Sequence, residues 1–262
     1  MVNLHTHTHL CGHASGRPAD YAAEALGRGI TMLGISDHTP FPDDRIPGIR
    51  MPYSKLGQYL EEIDSARKLY PQVKILAAAE CEYFPELRSY YKEELLGERH
   101  MDYLIGSVHF YPYKGQVRGF WGGDKMDRDA LMAYAESYVE MLESGLFLFG
   151  AHPDTFGAAI DGRDESCRDC AEAICRAAVK AGMPLEINTS GWVKQDQRPE
   201  MPRPYPLKEF WEIAAGLGVK AVVNSDAHSP ELVDAYLQNG YALARETGVG
   251  VVQPVKNDGD VI

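Results

Sequence analysis

The first thirteen residues, Met-Val-Asn-Leu-His5-Thr-His7-Thr-His9-Leu-Cys-Gly-His13, contain four of the nine histidines in this 262-residue chain. His5 and His7 alternate, so a β-strand carries both imidazoles on one face. Two nitrogens placed this way at a strand end can hold a divalent metal such as zinc, at about 2.0–2.1 Å each. The alternation with threonine sets the run apart from an unbroken expression tag. Further on, His38, Glu80, His109, His152, Asp226 and His228 each close, or closely follow, an apolar stretch. Imidazoles gathered on one rim repel one another when protonated and are poorly satisfied when neutral; metal ions resolve both problems. The ligands exceed the needs of one four-coordinate zinc. They point to two or three divalent transition ions, zinc, iron or manganese, with a carboxylate bridging a pair. Clustered ions suit hydrolysis at phosphorus, because they lower the pKa of bound water toward about 7 and clamp attacking and leaving oxygens.

Positioning these residues requires alternating strands and helices. Strands are predicted over residues 2–7, 31–38, 73–79, 102–109, 146–154, 184–188 and 220–228. Helices are predicted over 18–28, 54–70, 127–144, 164–181 and 206–217. The 54–70 segment shows helical period, with Leu56, Leu60, Ile63, Ala66 and Leu69 on one face. Alternation of this kind implies parallel pairing with right-handed crossovers. Each apolar strand ends on histidine, aspartate, glutamate or asparagine, and in a β/α barrel those ends form the active-site rim. An open doubly wound sheet would recruit ligands only around its switch point. The fold class is therefore α/β, an irregular TIM-like barrel with its metal site at the C-terminal rim. No repeat or linker divides the chain, so residues 1–262 read as one domain. The glycine-rich segment 111–126 has the composition of a mobile lid.

The formal net charge is −12, without a basic cluster, which argues against binding long nucleic acid. Bound metals can still reverse the local field for a small anionic substrate. No apolar run reaches the roughly 18–20 residues that span a bilayer, and no secretory signal is evident. Five cysteines, an odd number, read as reduced thiols of a cytoplasmic protein. Cys167, Cys170 and Cys175 fall within a helical stretch and read as ordinary helix thiols. The sequence leaves the oligomeric state open.

The pattern His5-Thr-His7-Thr, Ser36-Asp37-His38, Glu80, Ser107-Val-His109, His152 and Ser225-Asp226-Ala-His228 resembles the polymerase-and-histidinol-phosphatase (PHP) family of metallo-phosphoesterases. Within that family it is most similar to the stand-alone histidinol-phosphate phosphatases. That likeness rests on Cys11-Gly-His13, on the run from Ala79 to Pro85, on Gly106 to Phe110, on Glu186 to Gly191, and on Pro204-Tyr205-Pro206. The resemblance implies an irregular seven-stranded barrel with a trinuclear site that hydrolyses L-histidinol phosphate in histidine biosynthesis. It implies a first ion on His5, His7, Glu80 and Asp226. A second would share Glu80 with His109 and His152, and a third would rest on His13, His38 and His228. Glu80, Asp226 and His228 are the residues expected to act in the reaction itself.

Phosphate beyond the metals calls for arginine, whose planar fork suits phosphate oxygens. Arg203, on the proline-rich loop after the sixth strand, and Arg163 are the candidates, with Asn188 a further substrate residue. Asp37 reads as a carboxylate that orients a ligand histidine from behind. His9 stands where relatives carry glutamate. Two other readings remain: a phosphoesterase for another small phosphate ester or nucleotide, and a metal-binding protein without turnover.

Overall fold

The structure, a computed structural model, describes residues 1–119, 125–160, 165–200 and 203–255. In chain order the elements are β1 (Val2–Asn3), α1 (Pro18–Gly27), β2 (Met32–Ile35), α2 (Leu56–Leu69) and β3 (Lys74–Glu82). A π-helical segment, Tyr90–Glu98, leads to β4 (Tyr103–Ser107), β5 (Phe110–Tyr113), β6 (Gln116–Gly119), α3 (Arg128–Glu143) and β7 (Phe149–Gly150). Then come α4 (Glu165–Ala181), β8 (Leu185–Asn188), α5 (Ser190–Gln197), α6 (Lys208–Leu217), β9 (Lys220–Asn224), α7 (Leu237–Thr247) and β10 (Gly250–Val251). Local chemistry sets several boundaries. Pro18 opens α1, where the Asp20 carboxylate accepts the Arg17 N–H at 2.7 Å, and the Asp127 carboxylate caps α3 by accepting the Ala130 N–H at 2.8 Å.

Eight strands form one parallel sheet in the order β1-β2-β3-β4-β7-β8-β9-β10. The sheet curls until the chain beyond β1 meets the chain beyond β9. Thr6 bridges Ala227 in parallel, and the His7 N–H donates to the Ala227 carbonyl at 2.9 Å. Side-chain amides complete this seam: Leu4 N–H donates to Asn224 Oδ1 at 2.8 Å and Ser225 N–H to Asn3 Oδ1 at 3.2 Å. Those substitutions for carbonyl partners explain why β1 is two residues long where alternation predicts a strand over 2–7. β10 adds an eighth strand beside the start of β9, with Gly250 opposite Lys220.

Alternation along the strands sorts residues into two layers. Leu4, Met32, Leu76, Ala78, Tyr103, Ile105, Phe149, Ala151 and Val222 fill the interior, while Leu33, Ile35, Ala77, Ala79, Leu185 and Ile187 pack outward against helices. Glu80 and Glu82 continue the interior file of Leu76 and Ala78. The interior is thus dry at its base and charged at its rim. Gly34 permits a close crossing inside it: a Cβ there would meet Tyr103 Oη at 1.8 Å, and that hydroxyl donates to the Leu4 carbonyl at 2.6 Å.

The first part of the anticipated lid is an antiparallel hairpin, β5 with β6, whose Tyr113 hydroxyl lies 3.0 Å from both carboxylate oxygens of Asp127. Residues 120–124 of that segment lie outside the described residues. Cys170 and Cys175 are buried on α4. Among the described residues, no helix is long and apolar enough to cross a membrane.

Candidate metal centre

His5 and His7 project from the seam beyond β1 and are fully buried. Their Nε2 atoms lie 3.2 Å apart, each 3.6 Å from Glu80 Oε2, and 3.6 and 2.9 Å from Asp226 Oδ1. Two ligands bound at about 2.0–2.2 Å in a tetrahedron stand roughly 3.3–3.6 Å apart, close to the separations among His5, His7 and Glu80 Oε2, with Asp226 Oδ1 drawn nearer to His7. Glu80 Oε2 and Asp226 Oδ1 are buried and face imidazole nitrogens without a well-aligned hydrogen bond. A bare buried carboxylate oxygen is costly, and a cation at this point accounts for both.

The other Glu80 oxygen faces a second group. Oε1 lies 2.8 Å from His152 Nε2 and 3.7 Å from His109 Nε2. On the remaining side, His13 Nε2 and His228 Nε2 are 3.2 Å apart, and the His13 and His38 ring centroids are separated by 5.2 Å. His38 Nδ1 reaches Glu80 Oε2 at 2.8 Å, and His7, His38 and His228 present nitrogens within 4.8 Å of one another. All nine residues expected as ligands therefore converge on one rim, around Glu80.

The imidazoles of His7, His109 and His5 are oriented from behind. Asp37 lies 3.4 Å from His7 Nδ1 through Oδ1 and accepts the Thr8 N–H at 3.1 Å through Oδ2. Glu82 takes His109 Nδ1 at 2.9 Å and the main-chain N–H groups of His109 and Phe110 at 2.7 and 2.8 Å. Glu186 takes His5 Nδ1 at 2.8 Å and the His152 N–H at 3.0 Å. Such outer contacts fix which ring nitrogen faces the metal. Two ligand positions are strained: His152 has φ 30° and Asp226 φ 50°, a region L-residues rarely adopt.

Within this cluster the imidazoles and carboxylates shift one another's protonation. Burial alone would lower His5 and His7, yet Glu186, Asp226 and Glu80 hold His5 well above its ordinary value. Hydrogen bonds to Asp226 and Asp37 raise His7 to about 9. His38 is pushed down to about 3 by burial and by the charge on His7, and His228 falls for the same reasons. Burial would raise Glu80 and Asp226, but the surrounding imidazoles hold both well below the usual carboxylate range.

A cavity of about 540 Å³ opens over this centre. A larger groove of about 960 Å³, between α4 and α6, contains none of the nine residues. The structure redraws two expectations for the substrate. Arg203 stacks on the Trp192 ring at 4.5 Å, donates to the Pro206 carbonyl at 3.2 Å, and does not line the cavity. Asn188 is buried, donates to Glu186 Oε2 at 2.9 Å and Asp226 Oδ2 at 3.1 Å, and accepts the Ser190 N–H at 3.0 Å. Its amide braces two carboxylates rather than facing the cavity. Arg163 lies outside the described residues. His9 Nε2 lies 3.4 Å from Glu62 Oε2, away from the cavity lining.

Glu186 and Lys194 are among the site residues that the sequence did not single out. Glu186 gave a signal, since Glu186 and Asn188 alternate on β8 as His5 and His7 do after β1. Lys194 gives none, since no predicted element covers α5. Its ammonium lines the cavity, bonded to Ser190 Oγ at 3.1 Å and to the Tyr205 hydroxyl. Burial would lower its pKa, but Tyr205 and Asp226 raise it, so the cation persists. Tyr205 is seated by Gly191, where a Cβ would meet the Tyr205 carbonyl oxygen at 1.8 Å.

The profile of the PHP domain matches residues 3–190. A probable histidinol-phosphatase of Deinococcus radiodurans is 31% identical over 95% of this chain and 94% of its own length. Among solved structures, the Lactococcus lactis histidinol phosphate phosphatase, complexed with zinc, L-histidinol and phosphate, superposes with a TM-score of 0.73. It is 18% identical and covers 96% of this chain and 95% of its own. A putative histidinol phosphatase of Listeria monocytogenes gives 0.72 at 19% identity, over 91% of this chain and 99% of its own.

Proposed function

The chain belongs to the PHP-domain family, and on that premise we propose that it is a metal-dependent phosphomonoesterase that hydrolyses L-histidinol phosphate to L-histidinol and phosphate. The observation that carries this reading is the placement of Glu80. One of its oxygens belongs to the His5–His7–Asp226 group and the other to the His109–His152 group. A carboxylate shared in this way is what a multinuclear centre needs, and a structural zinc site, closed by four ligands, does not need it.

The donor set of imidazoles and carboxylates fits zinc, iron or manganese. His5, His7, Glu80 and Asp226 would hold one ion, Glu80 with His109 and His152 a second, and His13, His38 and His228 a third. Ions so held supply Lewis acidity toward phosphoryl oxygens and a water pKa lowered toward about 7. The protein's own groups do the rest. Asp37, Glu82 and Glu186 keep the rings of His7, His109 and His5 turned inward, the apolar barrel base keeps bulk water from the underside, and Lys194 adds positive charge at the mouth. The same reading takes residues 1–262 as one barrel unit with a small phosphorylated substrate, not long nucleic acid. Five free cysteines favour the cytoplasm.

Phosphate release across a panel of small phosphomonoesters, with elemental analysis on the same sample, tests this. Preferred turnover of L-histidinol phosphate with two to three transition ions per chain supports it. Preference for another ester would move the substrate. At most one ion after reconstitution would sink the multinuclear centre.

A further inference from the structure

Arg50, on the segment between β2 and α2, is 6% exposed. Buried charges in proteins are normally paired with an opposite charge. Among the described residues Arg50 forms no ion pair; its Nε donates to the Ile46 carbonyl at 3.3 Å and its Nη1 to the Thr39 carbonyl at 2.9 Å. Its guanidinium lies over the Phe41 ring at 4.5 Å. Arg45, five residues earlier and more exposed, holds two carboxylates, Asp43 at 2.7 Å and Glu86 at 2.6 Å. The buried arginine thus lacks what its exposed neighbour has.

Two carbonyl bonds use two of the five N–H donors of a guanidinium. The side chain carrying the others lines the metal cavity together with Glu80, His38 and His109. The segment is held with some effort: Ile46, whose carbonyl receives Nε, has φ 56°, a conformation that a β-branched residue adopts only when its surroundings force it. Main-chain anchors and a ring face therefore fix a permanent cation at the wall of an anion-binding site. An arginine preorganised in this way suits phosphate oxygens, which accept a planar pair of N–H donors.

We propose that Arg50 binds a non-bridging oxygen of the substrate's phosphoryl group, the role that sequence reasoning assigned to Arg203. The inference rests on the phosphomonoesterase reading above and deepens it.

The test uses metal-loaded wild type, Arg50→Gln, Arg50→Lys and the control Arg45→Gln. Each is titrated with inorganic phosphate, followed by the shift in melting temperature and by product inhibition. Steady-state constants on L-histidinol phosphate and metal content are measured alongside. Arg50→Gln should weaken phosphate binding and raise KM about ten- to a hundred-fold with metal content unchanged. Arg50→Lys should recover only part of this, since an ammonium cannot reproduce the fork. Arg45→Gln should match wild type. A merely structural arginine would lower the melting temperature and leave phosphate affinity alone. Phosphate binding within about twofold of wild type in a folded, metal-loaded Arg50 variant overturns the proposal. If Arg50→Gln does not fold, the lysine variant decides by the same criterion. If wild type ignores L-histidinol phosphate while the Arg50 variants still lose phosphate affinity, the assigned substrate is wrong and the role of Arg50 stands.

Discussion

Glu186 Oε1 lies 2.8 Å from His5 Nδ1, while Oε2 of the same carboxylate accepts the His152 N–H at 3.0 Å. One buried side chain thus sets a ring plane in one metal group and the main-chain position of a ligand in another. Asn188 and Asn224 donate to it at 2.9 and 3.0 Å, so its oxygens are held in turn. Glu186→Gln should lower metal affinity by about 10–100-fold, the usual loss when an outer partner of a ligand histidine is removed. Competition against a chelator measures this; unchanged affinity would show that His5 needs no support from behind.

Glu80→Gln should remove activity more completely than it removes the fold. An amide cannot carry the charge that two groups of ligands share, so activity should fall by at least the roughly 10–100-fold seen for outer partners. Near-normal turnover with a full complement of metal would end the bridging role.

The stripped protein should carry a pH signature. Burial would lower His7, but Asp226 and Asp37 raise it to about 9, against an ordinary value of 6.5. A base raised on folding stabilises fully below its unfolded pKa, and that contribution is lost as pH rises from about 6.5 through 9. His38, pushed down to about 3 by burial and by His7, has the opposite sign, because the unfolded chain takes up its proton first as pH falls below 6.5. After chelation, the melting temperature should peak near pH 6.5 and decline on both sides. Metal should flatten the alkaline limb, since the His7 nitrogen then serves the ion. A melting temperature that climbs steadily from pH 6.5 to 9 in stripped protein contradicts this.

Arg203→Ala and Lys194→Met should part company. Losing the stack on Trp192 should cost about 0.5–2 kcal/mol of stability with little change in kcat/KM. Losing the Lys194 ammonium from the cavity should lower kcat/KM about ten- to a hundred-fold. Calorimetry and steady-state kinetics on the two variants settle it, and a kinetic defect confined to Arg203→Ala would reverse the assignment.

The barrel and the nine rim residues could be read from sequence for one reason. Each closes or follows an apolar run, and a run that turns abruptly polar marks where a buried strand surfaces. His5 and His7 were further marked by alternation. Glu186 carries the same alternation, but one carboxylate inside a strand does not reveal which imidazole it faces across the barrel. For Arg203 and Asn188 sequence gives a loop or strand position and not the direction of a side chain: Trp192 takes the guanidinium, and two carboxylates take the amide. Arg50 and Lys194 lie on segments without periodicity, and tertiary contacts alone bring them to the cavity. The short β1 follows from side-chain amides at the seam, which no propensity anticipates.

The seam where Thr6 bridges Ala227 also governs the order of assembly. His5 and His7 are separated in sequence from their partners Asp226 and His228 by nearly the full length of the barrel, from the chain before α1 to the chain after β9. Contacts so distant in sequence carry a high closure entropy and form late. The first ion position therefore cannot exist in any partly made barrel, and a cation bound there clasps the two ends of the sheet together. Such a cation would fasten a barrel whose ends are otherwise joined, among the described residues, by few backbone bonds.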